Sequence, residues 1–184
     1  MSLKRMGPIR APVLAQMAAR LEKAGAEVLA MPCNTAHLYA FQIEENVGIA
    51  LLNMPKLACA QAAQGVQRGD IVGVLASPAT NNSGLFEGCL AEYGVTLAYP
   101  ESVVGILAAI RRIKKSGPTQ DDIILLENEA AALVKRRAKK MIVGCSEFSL
   151  VSERIRASVP ITDSLDVLVS EILKFSGVRV KPPT

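Results

Sequence analysis

Two cysteines have the setting in which a thiol does chemistry. Cys33 follows the short apolar run Glu27–Met31 (EVLAM) through Pro32, and Cys145 follows Met141-Ile142-Val143-Gly144. Small polar residues come next in both cases: Asn34-Thr35 after the first cysteine, Ser146-Glu147 after the second. The thiolate is the reactive form of cysteine, and a place at a helix start after a strand lowers a thiol's pKa. Backbone N–H groups at such a start also hold a carboxylate. Asn34, Thr35 and Ser146 add amide and hydroxyl groups to that setting. Together these describe a site for a small anion between two thiols. One thiolate can remove a proton from one face of a carbon while the other thiol returns a proton to the opposite face, which is general acid–base catalysis.

The elements around the cysteines follow from apolar spacing. Residues 12–24 have helical period, with Val13, Met17 and Leu21 as a stripe, Pro12 in the first turn and Gly25 as the stop. Strands are expected at Glu27–Met31, Val47–Leu52, Asp70–Ala76, Val95–Ala98, Met141–Val143 and Val159–Thr162. Helices are expected after Cys33, at Lys56–Arg68, Gly84–Tyr93, Val103–Lys115, Asp121–Lys140 and Leu165–Phe175. Alternation of this kind indicates α/β with mainly parallel sheets.

The order repeats. Helix, apolar strand, cysteine loop, helix, strand and helix run once over residues 12–68 and again over 121–175. Two pseudo-symmetric lobes flanked by helices are expected, each offering a cysteine at the C-terminal end of a strand, where open α/β sheets bind ligands. Two strand–helix units within residues 70–115 precede the second pass and have no counterpart before the first. The amino-terminal lobe is therefore expected to be incomplete, with residues 1–69 as a shortened first lobe and 70–164 as the second. Residues 165–184 form a C-terminal helix and tail expected to pack back on the first lobe.

Composition narrows the class. Half of the 184 residues are hydrophobic and 21% are charged, as in an ordinary globular chain with a sizeable core. The net charge of +4 comes from scattered basic residues and the clusters Arg111–Lys115 and Lys135–Lys140, which lie where helices should end. No nucleic-acid-binding pattern accompanies them, so no nucleic-acid partner is expected. No apolar run reaches the ~18 residues of a membrane span, and the first residues lack a signal peptide's apolar region. No membrane partner and a cytoplasmic location are expected. The four cysteines (Cys33, Cys59, Cys89, Cys145) are widely spaced and there is one histidine, which argues for reduced thiols and against a metal site. Cys59 and Cys89, on apolar helix faces, read as packing residues.

Met31-Pro32-Cys33-Asn34-Thr35-Ala36-His37 resembles the first cysteine motif of the aspartate/glutamate racemase family. Gly144-Cys145-Ser146-Glu147 resembles the second, with Ser146 in place of the usual Thr. Gly73-Val74-Leu75-Ala76-Ser77 with Thr80 and Ser83 is similar to the middle motif, and Val159-Pro160-Ile161-Thr162-Asp163-Ser164 to the closing strand. Glu147-Phe148 resembles the aspartate-racemase branch. Met6-Gly7-Pro8 has the letters of the family's glycine-rich first strand loop but sits against the wrong helix. The resemblance implies a site at the interface of two lobes, no pyridoxal phosphate or other cofactor, a small acidic amino acid as substrate, and a homo-oligomer. It implies Cys33 and Cys145 as the opposed acid and base. Asn34, Thr35 and Ser146, with Ser77 and Thr80 from the middle loop, are then the substrate-binding residues. Lys115 or Lys114 is implied as the cation for the substrate's side-chain carboxylate.

Plainer readings stand beside these. His37 can be a surface or cap residue, Glu147 can bond its own helix start, and Asn34 and Thr35 can be caps. Other functions of the same superfamily, such as maleate isomerase or hydantoin racemase, remain open. So does a catalytically inactive protein that binds a small acid or another protein.

Overall fold

The computed structural model describes residues 10–178. Met6-Gly7-Pro8 lies outside them. The chain forms α1 (Arg10–Lys23), β1 (Val28–Ala30), a 3-10 helix (Asn34–Tyr39), α2 (Ala40–Glu44), β2 (Ala50–Leu52) and α3 (Met54–Ala63). Then come β3 (Ile71–Leu75), α4 (Pro78–Asn81), α5 (Leu85–Ala91), β4 (Thr96–Ala98), α6 (Val103–Ser116) and α7 (Gln120–Lys135). The last elements are β5 (Ala138–Val143), α8 (Ser146–Ser149), a 3-10 turn (Ser152–Arg154), β6 (Ile161–Asp163) and α9 (Ser164–Phe175). β1 and β2 pair in one sheet, and a second sheet has the order β4-β3-β5-β6. Every described pairing is parallel, so helices must carry the chain back between strands.

The larger sheet is covered on both faces, and alternation along its strands sends side chains into two cores. Met141 and Val143 join Leu75 and the buried faces of α6 and α7. Ile142, Val72 and Val74 point the other way, against α3 and α5. The smaller sheet rests on a modest cluster of Ala18, Leu29 and Ile43. α3 connects the halves, packing on β5, β6 and α9 as well as on the 3-10 helix after Cys33. An Arg112–Asp122 ion pair ties α6 to α7, where Asp122 also completes a capping box with Thr119.

Three local expectations are corrected. The stripe Val13, Met17 and Leu21 is about half exposed (48%, 53% and 52%); α1 turns Ala15 and Ala18 inward instead. Small residues let the helix lie close to its neighbours, and the bulky stripe faces away. The helix expected over Asp121–Lys140 stops at Lys135, because Arg137 turns left-handed (φ 70°) and donates its N–H to the Val134 carbonyl. Ala138 then pairs with Ile71 and Lys140 with Val72, so Lys139 is the extra residue of a β-bulge. Finally, neither cysteine heads a long helix. Cys33 precedes six residues of 3-10 helix and Cys145 a four-residue helix, too short for a full macrodipole.

His37 fixes the first cysteine loop to α3. Its Nδ1 lies 2.9 Å from the Cys33 carbonyl oxygen, and its Nε2 accepts the Met54 N–H at 3.2 Å. An Nε2 that accepts must be unprotonated, so Nδ1 carries the proton and donates it to Cys33. Burial pushes the His37 pKa below its ordinary value of 6.5, against smaller opposing effects of its backbone bonds. The unfolded chain therefore takes up a proton that the folded chain resists. The His37 contribution is intact above pH 6.5 and is lost as the pH falls below it. Urea unfolding from about pH 8 to about pH 5 should show this loss, and His37→Asn should flatten the slope between about pH 6.5 and about pH 5. Equal slopes in the two proteins would rule the strap out.

Gly144 is required by space. A Cβ there would lie 2.9 Å and 3.0 Å from ring atoms of the fully buried Phe86. Gly144→Ala should lower stability by about 1–3 kcal/mol in thermal or denaturant unfolding, the usual cost of overpacking. An unchanged midpoint would mean that the ring yields freely.

Candidate functional site

The C-terminal ends of β1, β3, β5 and β6 each release a short polar segment. β1 leads to Cys33-Asn34-Thr35, β3 to Ser77 and α4, β5 to Gly144-Cys145, and β6 to Ser164. Two side-chain contacts join the smaller sheet's loop to the larger sheet's loops. Asn34 Nδ2 donates to Ser164 Oγ at 2.9 Å, and Ser164 donates onward to the Val143 carbonyl at 2.8 Å, two residues before Cys145. Thr35 Oγ1 lies 2.8 Å from Thr80 Oγ1, which lies 2.9 Å from Ser77 Oγ. Ser77 also caps α4 by accepting the Thr80 N–H. Asn34 is 4% exposed, yet its carbonyl oxygen has no hydrogen-bond partner among the described residues. A buried acceptor without a donor costs free energy, so this oxygen suits a donor brought by a ligand.

The two thiols differ in surroundings. Cys33 is exposed and Cys145 is buried. Cys145 Sγ donates to Glu147 Oε2 at 2.9 Å, and Glu147 Oε1 pairs with Lys114 Nζ at 3.1 Å. Burial pushes the Cys145 thiol well above the ordinary range, and the Glu147 carboxylate beside it adds to the shift. The expected lowering at a helix start is reversed here, because desolvation and a facing anion outweigh one turn of backbone N–H groups. Burial also pulls Glu147 upward, but bonds from Cys145 and Lys114 outweigh it and hold the carboxyl below its ordinary value. Lys114 is raised, first by its bond to Glu147 and then by that carboxylate's charge, with smaller contributions from Cys145 and Cys33. The lysine thus stands within electrostatic reach of both thiols.

These bonds bring Asn34, Thr35, Ser77, Thr80 and Ser164 to one junction, with Cys33 and Cys145 on the loops that they join. Ser146 is half-buried and opens α8 beside Cys145. Of the two lysines, Lys114 reaches the cluster. Lys115 is exposed one helix position further, about 100° around α6, and is not part of it. Glu147 bonds the thiol and the lysine, beyond a role at its own helix start. Ser164 joins the site through Asn34 and the Val143 carbonyl, and its place at a strand's C-terminal end is the sequence signal for it. Among the described residues no group of three or more His, Cys, Asp or Glu could hold a metal ion, and no helix is long and apolar enough to cross a membrane.

The chain has relatives in sequence and in fold. The family model described as Asp/Glu/Hydantoin racemase matches residues 3–172. The broad specificity amino-acid racemase RacX of Bacillus subtilis (strain 168) is 24% identical over 151 residues, covering 80% of this chain and 63% of that protein. A glutamate racemase of Koribacter versatilis is 25% identical over 173 residues, covering 89% of this chain and 57% of its own length. The chain therefore spans less than two thirds of either relative. In structure it is similar to the Picrophilus torridus aspartate racemase, with a TM-score of 0.78 at 23% identity, over 93% of this chain and 71% of that one. That likeness shows the shared α/β fold, and the match over residues 3–172 shows the lineage: the chain belongs to the Asp/Glu/hydantoin racemase family.

Proposed function

We propose that this protein is a cofactor-independent amino-acid racemase that acts on aspartate or a related acidic amino acid, with Cys33 and Cys145 as its two proton-transfer groups. The observation that carries the reading is the asymmetry of the thiols. Cys145 is held protonated by burial and by Glu147, as a general acid must be before it acts. Cys33 is exposed, and it takes the opposite role of proton acceptor in the cycle. In that cycle Cys33 takes the α-proton, the electron pair spreads onto the α-carboxylate, and Cys145 gives its proton to the opposite face. Cys33 ends as thiol and Cys145 as thiolate, ready for the reverse reaction. The unpartnered Asn34 oxygen suits the substrate ammonium. Lys114 suits a carboxylate, in exchange with Glu147.

Proton NMR of L- and D-aspartate in heavy water tests the reading, with glutamate and alanine in parallel because one relative is named for broad specificity. The wild-type protein should exchange the α-proton of an acidic substrate. Cys33→Ser and Cys145→Ser should each abolish racemisation, with exchange surviving at most from one enantiomer. Folded protein that exchanges no amino acid would overturn the activity.

Glu147→Gln removes the anion but keeps the shape. The pH at which Cys145 becomes reactive to iodoacetamide should then fall, while burial keeps it above that of an exposed thiol. An unchanged alkylation profile would remove Glu147 from control of the thiol.

A further inference from the structure

The cysteine junction makes no use of the basic run Lys135–Lys140, whose cations divide by partner. Arg136 donates to the Tyr99 carbonyl and pairs with Glu101, and Lys140 bonds the Gln64 carbonyl. Arg137 and Lys139 are exposed and have no hydrogen-bond or ion-pair partner for their side chains among the described residues. Both line an open cleft of about 820 Å³, whose walls also include Asp70, Ile71, Val134 and Val159. That volume suits a small molecule, since such sites span about 300–1,000 Å³. The cleft lies at the N-terminal ends of β3 and β5, and the cysteine junction lies beyond their C-terminal ends.

Two backbone irregularities present these cations. Arg137 is the one residue other than glycine with a positive φ among the described residues. Glycine is the residue that a left-handed turn favours, so the arginine is held here at a cost to the fold. Lys139 is the extra residue of the bulge in β5, and a bulge re-aims the side chain that it carries. Asp70 stands next to them, because Ile71 pairs with Ala138, yet no ion pair joins Asp70 to Arg137. Asp70 Oδ2 accepts the Gln67 N–H at 2.8 Å, and Oδ1 has no partner among the described residues. The cleft therefore has a cationic end, a hydrogen-bond acceptor and an apolar wall of Ile71, Val134 and Val159.

We propose that this cleft binds a small phosphate ester that carries free hydroxyl groups. Arg137 and Lys139 hold the phosphate, the arginine as a planar fork and the lysine as a point charge. Asp70 accepts hydrogen bonds from the ester's hydroxyls, and the apolar wall takes its carbon part. Inorganic phosphate can use only the cationic end, and an uncharged nucleoside only the rest. The proposal does not depend on racemase activity.

Amide NMR of the isotope-labelled native protein tests the site, with adenosine monophosphate and ribose phosphate as probes and inorganic phosphate and adenosine as controls. At least one ester should shift the amides of Asp70, Ile71, Ala138 and Lys139 saturably, and more tightly than either control. Arg137→Gly is the decisive variant. Glycine suits φ 70°, so the thermal midpoint should hold or rise while affinity for the ester falls about tenfold. Lys139→Gln should weaken binding by a similar factor, and added salt should weaken it in the native protein. Shifts confined to the cysteine loops, or no shift with either ester, would overturn the proposal. So would inorganic phosphate or adenosine binding as tightly as the esters, or full affinity in folded Arg137→Gly.

Discussion

The site depends on the hydrogen-bonded tie between the two sheets. Asn34, Ser164 and the Val143 carbonyl form one chain of bonds, and Thr35, Thr80 and Ser77 form another. Each joins residues far apart in sequence but emerging from the ends of parallel strands. α3 packs the two halves together, each with its own apolar cluster, and the tie fixes the two cysteine loops against one another. Buried polar bonds specify geometry because their misaligned alternatives leave groups unpaired. The tie thus sets where one thiol stands relative to the other.

Electrostatics then sets the state of the Cys145 thiol. A carboxylate beside a buried thiol would be costly alone, since both groups resist losing water. Lys114 resolves this by pairing with Glu147 from the exposed end of α6. The resulting order is cation, anion, neutral thiol, from solvent inward. A proton leaving Cys145 would place a second negative charge in that line, which makes the thiolate a strong base that is quick to recover a proton. Cys33 has no such line behind it. Chemically equivalent side chains on similar loops are thereby made inequivalent by what lies behind them.

Much of this was legible in the sequence. Short apolar runs of Val, Ile and Leu between helical periods marked the strands, and the two cysteine loops were visible as a repeated order. What escaped was information held in three dimensions. The stripe Val13, Met17 and Leu21 has sound helical spacing, but spacing does not say which face finds a partner, and α1 buries alanines. The end of α7 rests on Arg137 in a left-handed turn, which nothing about arginine announces. The choice of Lys114 over Lys115 is one helical step. The role of Ser164 depends on a tertiary neighbour from a distant segment.

The unequal cores have a kinetic consequence. The larger sheet is sandwiched between two extensive clusters, whereas β1 and β2 lean on Ala18, Leu29 and Ile43 with partly buried company. Local opening free energy follows the apolar contacts that an opening breaks. Opening the half that bears Cys33 therefore breaks fewer apolar contacts than opening the half that bears Cys145, so the first cysteine loop has the lower local barrier to exposure.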